Sequence, residues 1–197
     1  MKNSQKLALV GVVGVVAMFA RSEAMAQDQV KVEVEDISIE IVETPEYSTS
    51  ESKKLPKKQE WVEIEVIFQP EGRTESGIVE NLEFSYYVML GDEKTMLYEK
   101  INHVNMLLDE ATASVVYIAP STILGLFGRE ASASKAVAAV AVEIRHNGAL
   151  VGGDATLEPS SRWWQTKTQT PGKLKKKSDT PFAPLWWDRY ADVEQSR

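Results

Sequence analysis

An alternation of apolar and charged residues begins at Val30 and constrains the fold more than any other feature of the chain. The apolar positions are Val30, Val32 and Val34, followed one residue out of phase by Ile37, Ile39 and Ile41. Because the side chains of a strand point alternately to its two faces, this spacing predicts a strand with one buried face. The change of phase at Glu35-Asp36 predicts a bulge, since a one-residue slip would turn every later side chain to the wrong face. We expect the strand to pass from one sheet to the other there.

The same alternation recurs along the chain and predicts further strands. They lie at residues 62–68, 82–90 and 115–119, with shorter segments at 96–101 and 104–108 that are typical of a sheet edge. Pro70-Glu71-Gly72 and Gly91-Asp92 indicate turns, and the polar residues 44–59 indicate an exposed loop. Residues 120–127, closed by Gly128, predict a short helical turn or an apolar loop that packs on the core.

Residues 135–145 are rich in Ala and Val and fit either a helix or a strand. Alanine is the best helix former, but the following Asn147-Gly148 is the strongest hairpin signal in the chain, because a type I′ turn needs positive φ at both central residues. We therefore predict a strand before this turn and a partner strand at 149–157, with Gly152-Gly153 at a bulge or a close backbone approach. Seven or eight short strands without alternating helices predict an all-β fold, an antiparallel immunoglobulin-like β-sandwich over residues 27–157.

The first 26 residues have the three parts of a secretory signal peptide. Lys2 and Lys6 precede an apolar run over 7–20, and Ala24-Met25-Ala26 precedes the predicted cleavage site. This run of 14 residues is shorter than the roughly 20 that a helix needs to cross a membrane. We predict an exported protein of the periplasm, outer membrane or cell surface of a Gram-negative-type bacterium, and the sequence leaves the choice among them open.

Two other export signals fit less well. A lipoprotein signal needs a cysteine at the cleavage site, and the chain contains none. A pilin-type leader cut after Gly14 would place Phe19, rather than glutamate, at the fifth position of the mature chain. We therefore expect that the protein does not assemble through an N-terminal pilin helix.

Charge excludes nucleic acid as a partner. Loss of residues 1–26 removes three basic residues and one acidic residue and moves the formal net charge from −7 to −9. Polyanions and anionic lipid surfaces are repelled on average by such a chain. The hydrophobic content of 43% is nevertheless enough for a core, so wholesale disorder is also excluded.

Residues 158–197 form an aromatic-rich tail that contains the candidate partner-binding residues. These are Trp163, Trp164, Phe182, Trp186, Trp187 and Tyr190. Each buried aromatic side chain removes about 150–250 Å² from water, so the tail is expected to pack on the domain or on a partner. Adjacent tryptophans in an extended segment face opposite ways, and we expect one of the first pair to point inward. The lysine-rich residues 171–177 predict a solvated, flexible connection, residues 180–185 an extended segment, and residues 186–194 a short terminal helix.

Catalytic chemistry finds little support in the sequence. The two histidines, His103 and His146, lie in a polar stretch and beside a turn, which predicts exposed residues rather than oriented catalytic groups. HExxH, CxxC and GxSxG motifs are absent from the sequence. We predict no catalytic residue, no metal site and no cofactor.

Four features of the chain together resemble those of a known family. They are the leader, the acidic strand-rich body, the Asn147-Gly148 hairpin and the closing Thr180-Pro181-Phe182-Ala183-Pro184-Leu185-Trp186-Trp187-Asp188-Arg189-Tyr190. The chain resembles small envelope proteins of verrucomicrobial bacteria that are encoded beside type IV pilus-like genes and linked to the outer membrane. The resemblance implies an immunoglobulin-like fold, a pilus-associated or cell-surface role and no catalysis.

Our first hypothesis is a non-enzymatic envelope protein with a structural or interaction role in a pilus-like or outer-membrane assembly. Its partners would be other envelope or pilus-assembly proteins, or further copies of the same chain. The long first strand is a candidate edge for strand addition. The alternative is a carbohydrate-binding module that stacks sugars on Trp163, Trp164, Trp186 or Trp187. A hydrolytic enzyme stays open as a third hypothesis, because dispersed carboxylates are catalytic only through geometry that a sequence does not show.

Overall fold

Strands dominate the computed structural model, which describes residues 29–47, 58–128, 133–186 and 188–194. The predicted signal peptide, residues 1–26, lies outside the described residues. The strands are β1 Gln29–Glu43, β2 Glu60–Arg73, β3 Ile78–Leu90, β4 Met96–Leu107, β5 Thr112–Ile118, β6 Val137–His146, β7 Ala149–Ala155, β8 Gln169–Pro171 and β9 Leu174–Lys176. A single α-helix, α1 Pro120–Phe127, and four short 3₁₀ turns complete the described elements. No helix in these ranges is long and apolar enough to cross a membrane.

The strands form two sheets, with β1-β2-β5-β9 in one and β7-β6-β3-β4-β8 in the other. All neighbouring strands are antiparallel except β4 and β8, which run parallel. The inward side chains of both sheets form one large apolar cluster that includes Ile64 and Phe68 from β2 and Phe84 and Val88 from β3. The predicted all-β sandwich is confirmed.

The bulge in β1 is confirmed, but the predicted change of sheet is wrong. The register between β1 and β2 shifts between Val34 and Asp36, as the phase change requires. The strand nevertheless stays paired with β2 from Gln29 to Glu43, because the extra residue at the bulge restores the phase without a change of partner. The predicted turn at Pro70 is also wrong. β2 continues to Arg73, and Pro70 is tolerated because it lies past the last pair with β5.

The alanine-rich segment is strand β6, and the Asn147-Gly148 hairpin is confirmed, with φ of 50° and 81° at the two residues. The two short edge strands predicted at 96–108 are instead one strand, β4, which pairs with β3 along its length. The strand is regular at the predicted break, where Asn102 pairs with Glu83 and His103 with Leu82, and its one residue of positive φ is Asn105 at 58°.

Gly152 lies where the free edges of the two sheets meet. A Cβ at this residue would stand 2.3 Å from the carbonyl oxygen of Val32 in β1, and the register of β6 and β7 shifts beside it. The glycine pair therefore marks both a bulge and a close backbone approach, as predicted. Only a residue without a side chain lets β7 reach β1.

Gly152→Ala is expected to lower the free energy of unfolding by about 1–3 kcal/mol, because the new methyl group must push two backbones apart. Gly125→Ala is the matched control. Gly125 lies inside α1 with nothing within 4 Å of the added Cβ, so alanine should stabilise by about 0.5–1 kcal/mol. Urea denaturation measures both, and equal effects would contradict the close approach.

The C-terminal tail contributes to both sheets, and three predictions about it are wrong. The lysine-rich segment is not a solvated connection, since β9 pairs with β5 and buries Leu174. Residues 180–185 form two successive turns, closed by Ala183 N–H to Thr180 O and Leu185 N–H to Phe182 O, rather than an extended segment. The described residues of 186–194 contain bridges and a turn in place of a helix. Each difference follows from tertiary contacts that override local preference.

Candidate functional site

The last described residues, 190–194, join the two sheets along one side of the sandwich. Ala191 N–H donates to Ala113 O of β5 at 2.9 Å, and Val104 N–H of β4 donates to Asp192 O at 3.0 Å. Glu194 N–H then donates to Asn102 O at 2.9 Å. We call this segment the C-terminal closure. It satisfies backbone groups of β4 and β5 that lie past the ends of the short strands β8 and β9.

A buried polar network lies directly beneath the C-terminal closure. His103 Nε2 accepts a hydrogen bond from the Ser114 hydroxyl at 2.6 Å, and the Tyr86 hydroxyl donates to the same Ser114 oxygen at 2.6 Å. The other ring nitrogen, His103 Nδ1, faces the carbonyl oxygens of Ala191 and Asp192, each at 3.2 Å. Two carbonyl acceptors require a proton on Nδ1, which leaves Nε2 as the acceptor of a neutral ring. The network thus connects β3, β4 and β5 with the closure.

Burial keeps this network uncharged at neutral pH. His103 is 1% exposed, and burial lowers its pKa from 6.5 to about 4, although the two carbonyl oxygens partly offset that effect. Burial likewise raises the pKa of Tyr86, and the bond to Ser114 offsets it only in part. The prediction that His103 is an exposed residue is therefore wrong. It occupies an inward position of β4, beside the ring of Phe84 at 5.0 Å.

Within the described ranges, the ring nitrogens of both histidines face uncharged groups. His146 is also buried, at the end of β6, where Nδ1 faces Asn81 O at 2.8 Å and Nε2 faces the side-chain amide of Asn147 at 3.1 Å. A groove of about 560 Å³ runs along the C-terminal closure, but His103 contacts it with almost no exposed surface. Among the described residues, no carboxylate bonds to either ring. No group of three or more metal-ligating side chains occurs in that part of the chain either.

Residues 177–186 cover the outer face of the four-stranded sheet, and we call them the C-terminal clasp. Phe182 stacks on Tyr117 of β5 with centroids 4.8 Å apart and planes 6° apart, and it meets Trp61 of β2 edge to face at 5.7 Å. The Tyr47 hydroxyl donates to Pro181 O, which ties the clasp to the chain beyond β1. Phe182 is 2% exposed, so the clasp is an integral layer of the fold.

Two carboxylates of β2 hold the clasp and the residues after it. Arg189 binds Glu65 with both Nε at 3.0 Å and Nη2 at 2.6 Å, and this bidentate contact lowers the pKa of Glu65. Glu63 accepts from the Tyr117 hydroxyl at 2.7 Å. Burial raises the pKa of Glu63, and the tyrosine bond only partly offsets this. Lys177 lies over the ring of Tyr190 at 5.3 Å.

Arg189→Gln is expected to lower the free energy of unfolding by about 1–2 kcal/mol. The variant leaves the charged carboxylate of Glu65, whose side chain is 10% exposed, without its basic partner. The effect stays small because Arg189 itself is 54% exposed and solvent screens it. The double variant Glu65→Gln/Arg189→Gln should lose less than the sum of the single variants. NMR titration of Glu65 should show its pKa rising in Arg189→Gln, and an unchanged pKa would contradict the contact.

Trp163 and Trp164 lie on the opposite side of the molecule, against the outer face of the five-stranded sheet. Trp164 is buried, as one of the pair was predicted to be, and its Nε1 donates to Glu143 Oε1 at 3.0 Å. Burial alone would raise the pKa of Glu143, but bonds from Trp164, Gln165 and Arg145 outweigh it and lower the pKa. Trp163 is half-buried and meets Trp164 edge to face, with planes at 90°. The two rings therefore do not form a flat platform.

The structure separates the candidate partner-binding residues into two groups. Trp163 and Trp164 pack on one sheet, and Phe182 and Tyr190 pack on the other. Trp186 is 54% exposed and has φ of 46°, whereas Trp187 lies outside the described residues. The sequence interpretation did not find the Tyr86-His103-Ser114 network, although all three residues occupy inward phases of their strands.

Comparison with known proteins agrees with this architecture. A protein-family model matches residues 23–197, nearly the whole chain. The chain belongs to this family. Because the match includes residues 158–197, the clasp and the C-terminal closure lie within the part that the family model covers. No curated protein matches the chain significantly.

A crystal structure of a protein from Akkermansia muciniphila is similar to the structure described here over most of both chains. The TM-score is 0.75 at 26% sequence identity, and the alignment covers 87% of this chain and 96% of the other. Akkermansia muciniphila is a verrucomicrobium, the lineage to which the sequence resemblance pointed. The two chains share the fold over nearly the full length of the solved one.

Proposed function

We propose that the protein is an exported, non-enzymatic protein of the cell envelope with a structural or interaction role in a pilus-like or outer-membrane assembly. Immunoglobulin-like identity and an association with pilus proteins are part of this proposal. The partners are other envelope or pilus-assembly proteins or further copies of the chain, and no nucleic acid, metal or cofactor takes part.

The observation that carries this proposal is what the polar and aromatic side chains contact. His103, Glu63, Glu65 and Glu143 each bond to groups that fix the tail on the sandwich. General acid–base catalysis would need such side chains to be free to reach a substrate. Here they stabilise the C-terminal closure, the C-terminal clasp and the segment around Trp164, which supports a protein that acts through its surface.

Fractionation of the cells that encode the protein tests the proposal. We expect a chain that begins at Gln27 in the envelope fractions, and chemical cross-linking in intact cells should join it to other envelope proteins. An uncleaved chain that stays in the cytoplasm would overturn export. The control is the variant Ala26→Asp, which replaces the small residue that cleavage requires. This variant should accumulate as the uncleaved chain, which shows that the assay detects processing.

Carbohydrate binding is the second candidate, and one observation supports it. Trp186 exposes 54% of its surface in the left-handed backbone region, which is costly for an aromatic residue and recurs at functional sites. Titration with mucin or polysaccharide fragments should then change the tryptophan fluorescence of the wild type but not of Trp186→Ala. A signal of the same size in both, or in neither, would count against this candidate.

A further inference from the structure

The second half of β1 is a sheet edge with an unpaired backbone. β1 pairs with β2 throughout, and within the described ranges no strand lies on its other side. The first half is partly blocked, because Gly152 of β7 approaches Val32. Beyond the bulge, five of the eight residues 36–43 are exposed. We call residues 36–43 the open edge.

The register shows which backbone groups of the open edge point outward. Thr44 N–H donates to Gln59 O at 2.9 Å, so these two residues form a hydrogen-bonded pair. Hydrogen-bonded and non-hydrogen-bonded pairs alternate along an antiparallel ladder. The residues with even numbers therefore bond to β2. The outward N–H and C=O groups of the open edge belong to the odd-numbered residues Ile37, Ile39, Ile41 and Glu43.

The same isoleucines leave part of the core uncovered. Ile39 pairs with Ile64 and Ile41 pairs with Val62, both of which are fully buried core residues of β2. Yet Ile39 is 40% exposed and Ile41 is 39% exposed. An additional strand beside the open edge would cover both side chains and satisfy the outward backbone groups in one step.

The charge of β1 selects the kind of strand that fits. The strand carries five acidic residues and one lysine. Four of these acidic residues are exposed and face away from the core, namely Glu33, Glu35, Asp36 and Glu40. Within the described part of the chain, no basic side chain forms an ion pair with any of the four. A strand next to them gains from lysine or arginine on that face and is repelled if it carries acids.

We propose that the open edge binds an extended basic segment of another protein by strand addition. Apolar residues of that segment lie beside Ile39 and Ile41, and alternate lysine or arginine residues lie beside Asp36 and Glu40. This inference rests on the proposed function, for which it names the docking edge and the chemistry of the partner. A second copy of β1 is disfavoured, because pairing two such strands brings their acidic faces together.

A peptide with alternating isoleucine and lysine, acetylated and amidated, serves as the probe. We expect saturable binding to the wild type, and about tenfold weaker binding to Ile39→Pro, which lacks one outward N–H and keeps the ladder to β2. Ile39→Thr retains that N–H and is the matched control, with affinity within about threefold of the wild type. A peptide with glutamate in place of lysine should not bind, and binding of the basic peptide should weaken as salt is raised.

Hydrogen exchange of the wild type with the basic peptide tests the edge without any variant. Protection should appear at the amides of Ile37, Ile39 and Ile41. Three outcomes would each overturn the proposal. They are equal affinity of the basic peptide for folded Ile39→Pro and for the wild type, binding of the glutamate peptide, and unchanged hydrogen exchange at these amides. The proposal would also be overturned if the wild type and Ile39→Thr dimerise in sedimentation experiments and Ile39→Pro does not. That result would identify a second copy of the chain as the occupant of the open edge. If the protein fractionates with the envelope but fails these tests, the proposed function stands and only the assignment of the open edge as a docking site is contradicted.

Discussion

Replacing Phe182 by alanine is expected to lower the free energy of unfolding by about 3–5 kcal/mol. Phe182 is 2% exposed and contacts the rings of Tyr117 and Trp61, so truncation removes a buried aromatic side chain and leaves a cavity. The surrounding layer consists of hydrogen-bonded turns, and within the clasp Leu185 also packs against this cluster. Urea denaturation followed by tryptophan fluorescence measures the loss, because Trp61 reports on the clasp directly.

Trp186→Ala is the matched control within the same clasp. Trp186 is four residues further along the chain but 54% exposed, so its truncation should cost about 0.5 kcal/mol or less. If Phe182→Ala costs no more than Trp186→Ala, the clasp is not a packed layer. A large loss in both variants would instead show that the whole segment depends on its turn geometry.

Lowering the pH from about 6.5 to 4 is expected to remove about 3 kcal/mol of stability through His103 alone. Burial lowers the pKa of His103 to about 4 in the folded protein, whereas the unfolded chain titrates near 6.5. Between these values the unfolded chain binds a proton that the folded protein does not. The stabilisation is therefore complete above pH 6.5 and declines as the pH falls toward 4.

His103→Gln separates this effect from that of the carboxylates. Glutamine can bond within the same site but does not titrate, so the variant should be less stable at neutral pH and should lose about 3 kcal/mol less on acidification. The lowered pKa values of Glu65 and Glu143 contribute further loss near and below pH 4.5, and the raised pKa of Glu63 opposes it. These contributions remain in both proteins. Parallel curves of stability against pH for wild type and variant would contradict a buried neutral His103.

Periodicity predicted most of the long strands because each of them supplies several alternations, although β4 was predicted as two segments. β1, with its bulge, and β3 were evident from spacing alone, and Asn147-Gly148 decided between helix and strand for β6. The short strands β8 and β9 have three residues each, which is too few for a period to be recognised. The lysines of β9 were therefore interpreted as solvated residues, although their backbone completes a sheet.

The buried network shows how the site could have been partly predicted. His103 continues the inward phase of Leu97 and Ile101, and Ser114 precedes Val116 in the inward phase of β5. A polar residue at an inward position indicates a buried hydrogen-bonding group. Its partners do not follow from that pattern, because the carbonyl groups that His103 meets lie 88 and 89 residues further along the chain.

The sequence by itself determined the all-β class, the bulge in β1, the hairpin after β6 and the need for the aromatic tail to be covered, because each depends on local spacing or on composition. Only the tertiary structure decided that Trp164 and Phe182 cover opposite sheets, that residues 190–194 close the sandwich over His103, and that the second half of β1 is left unpaired. These features arise from contacts between segments far apart in the chain. Hydrogen bonding and burial at such contacts outweigh the local preferences that a sequence pattern reports.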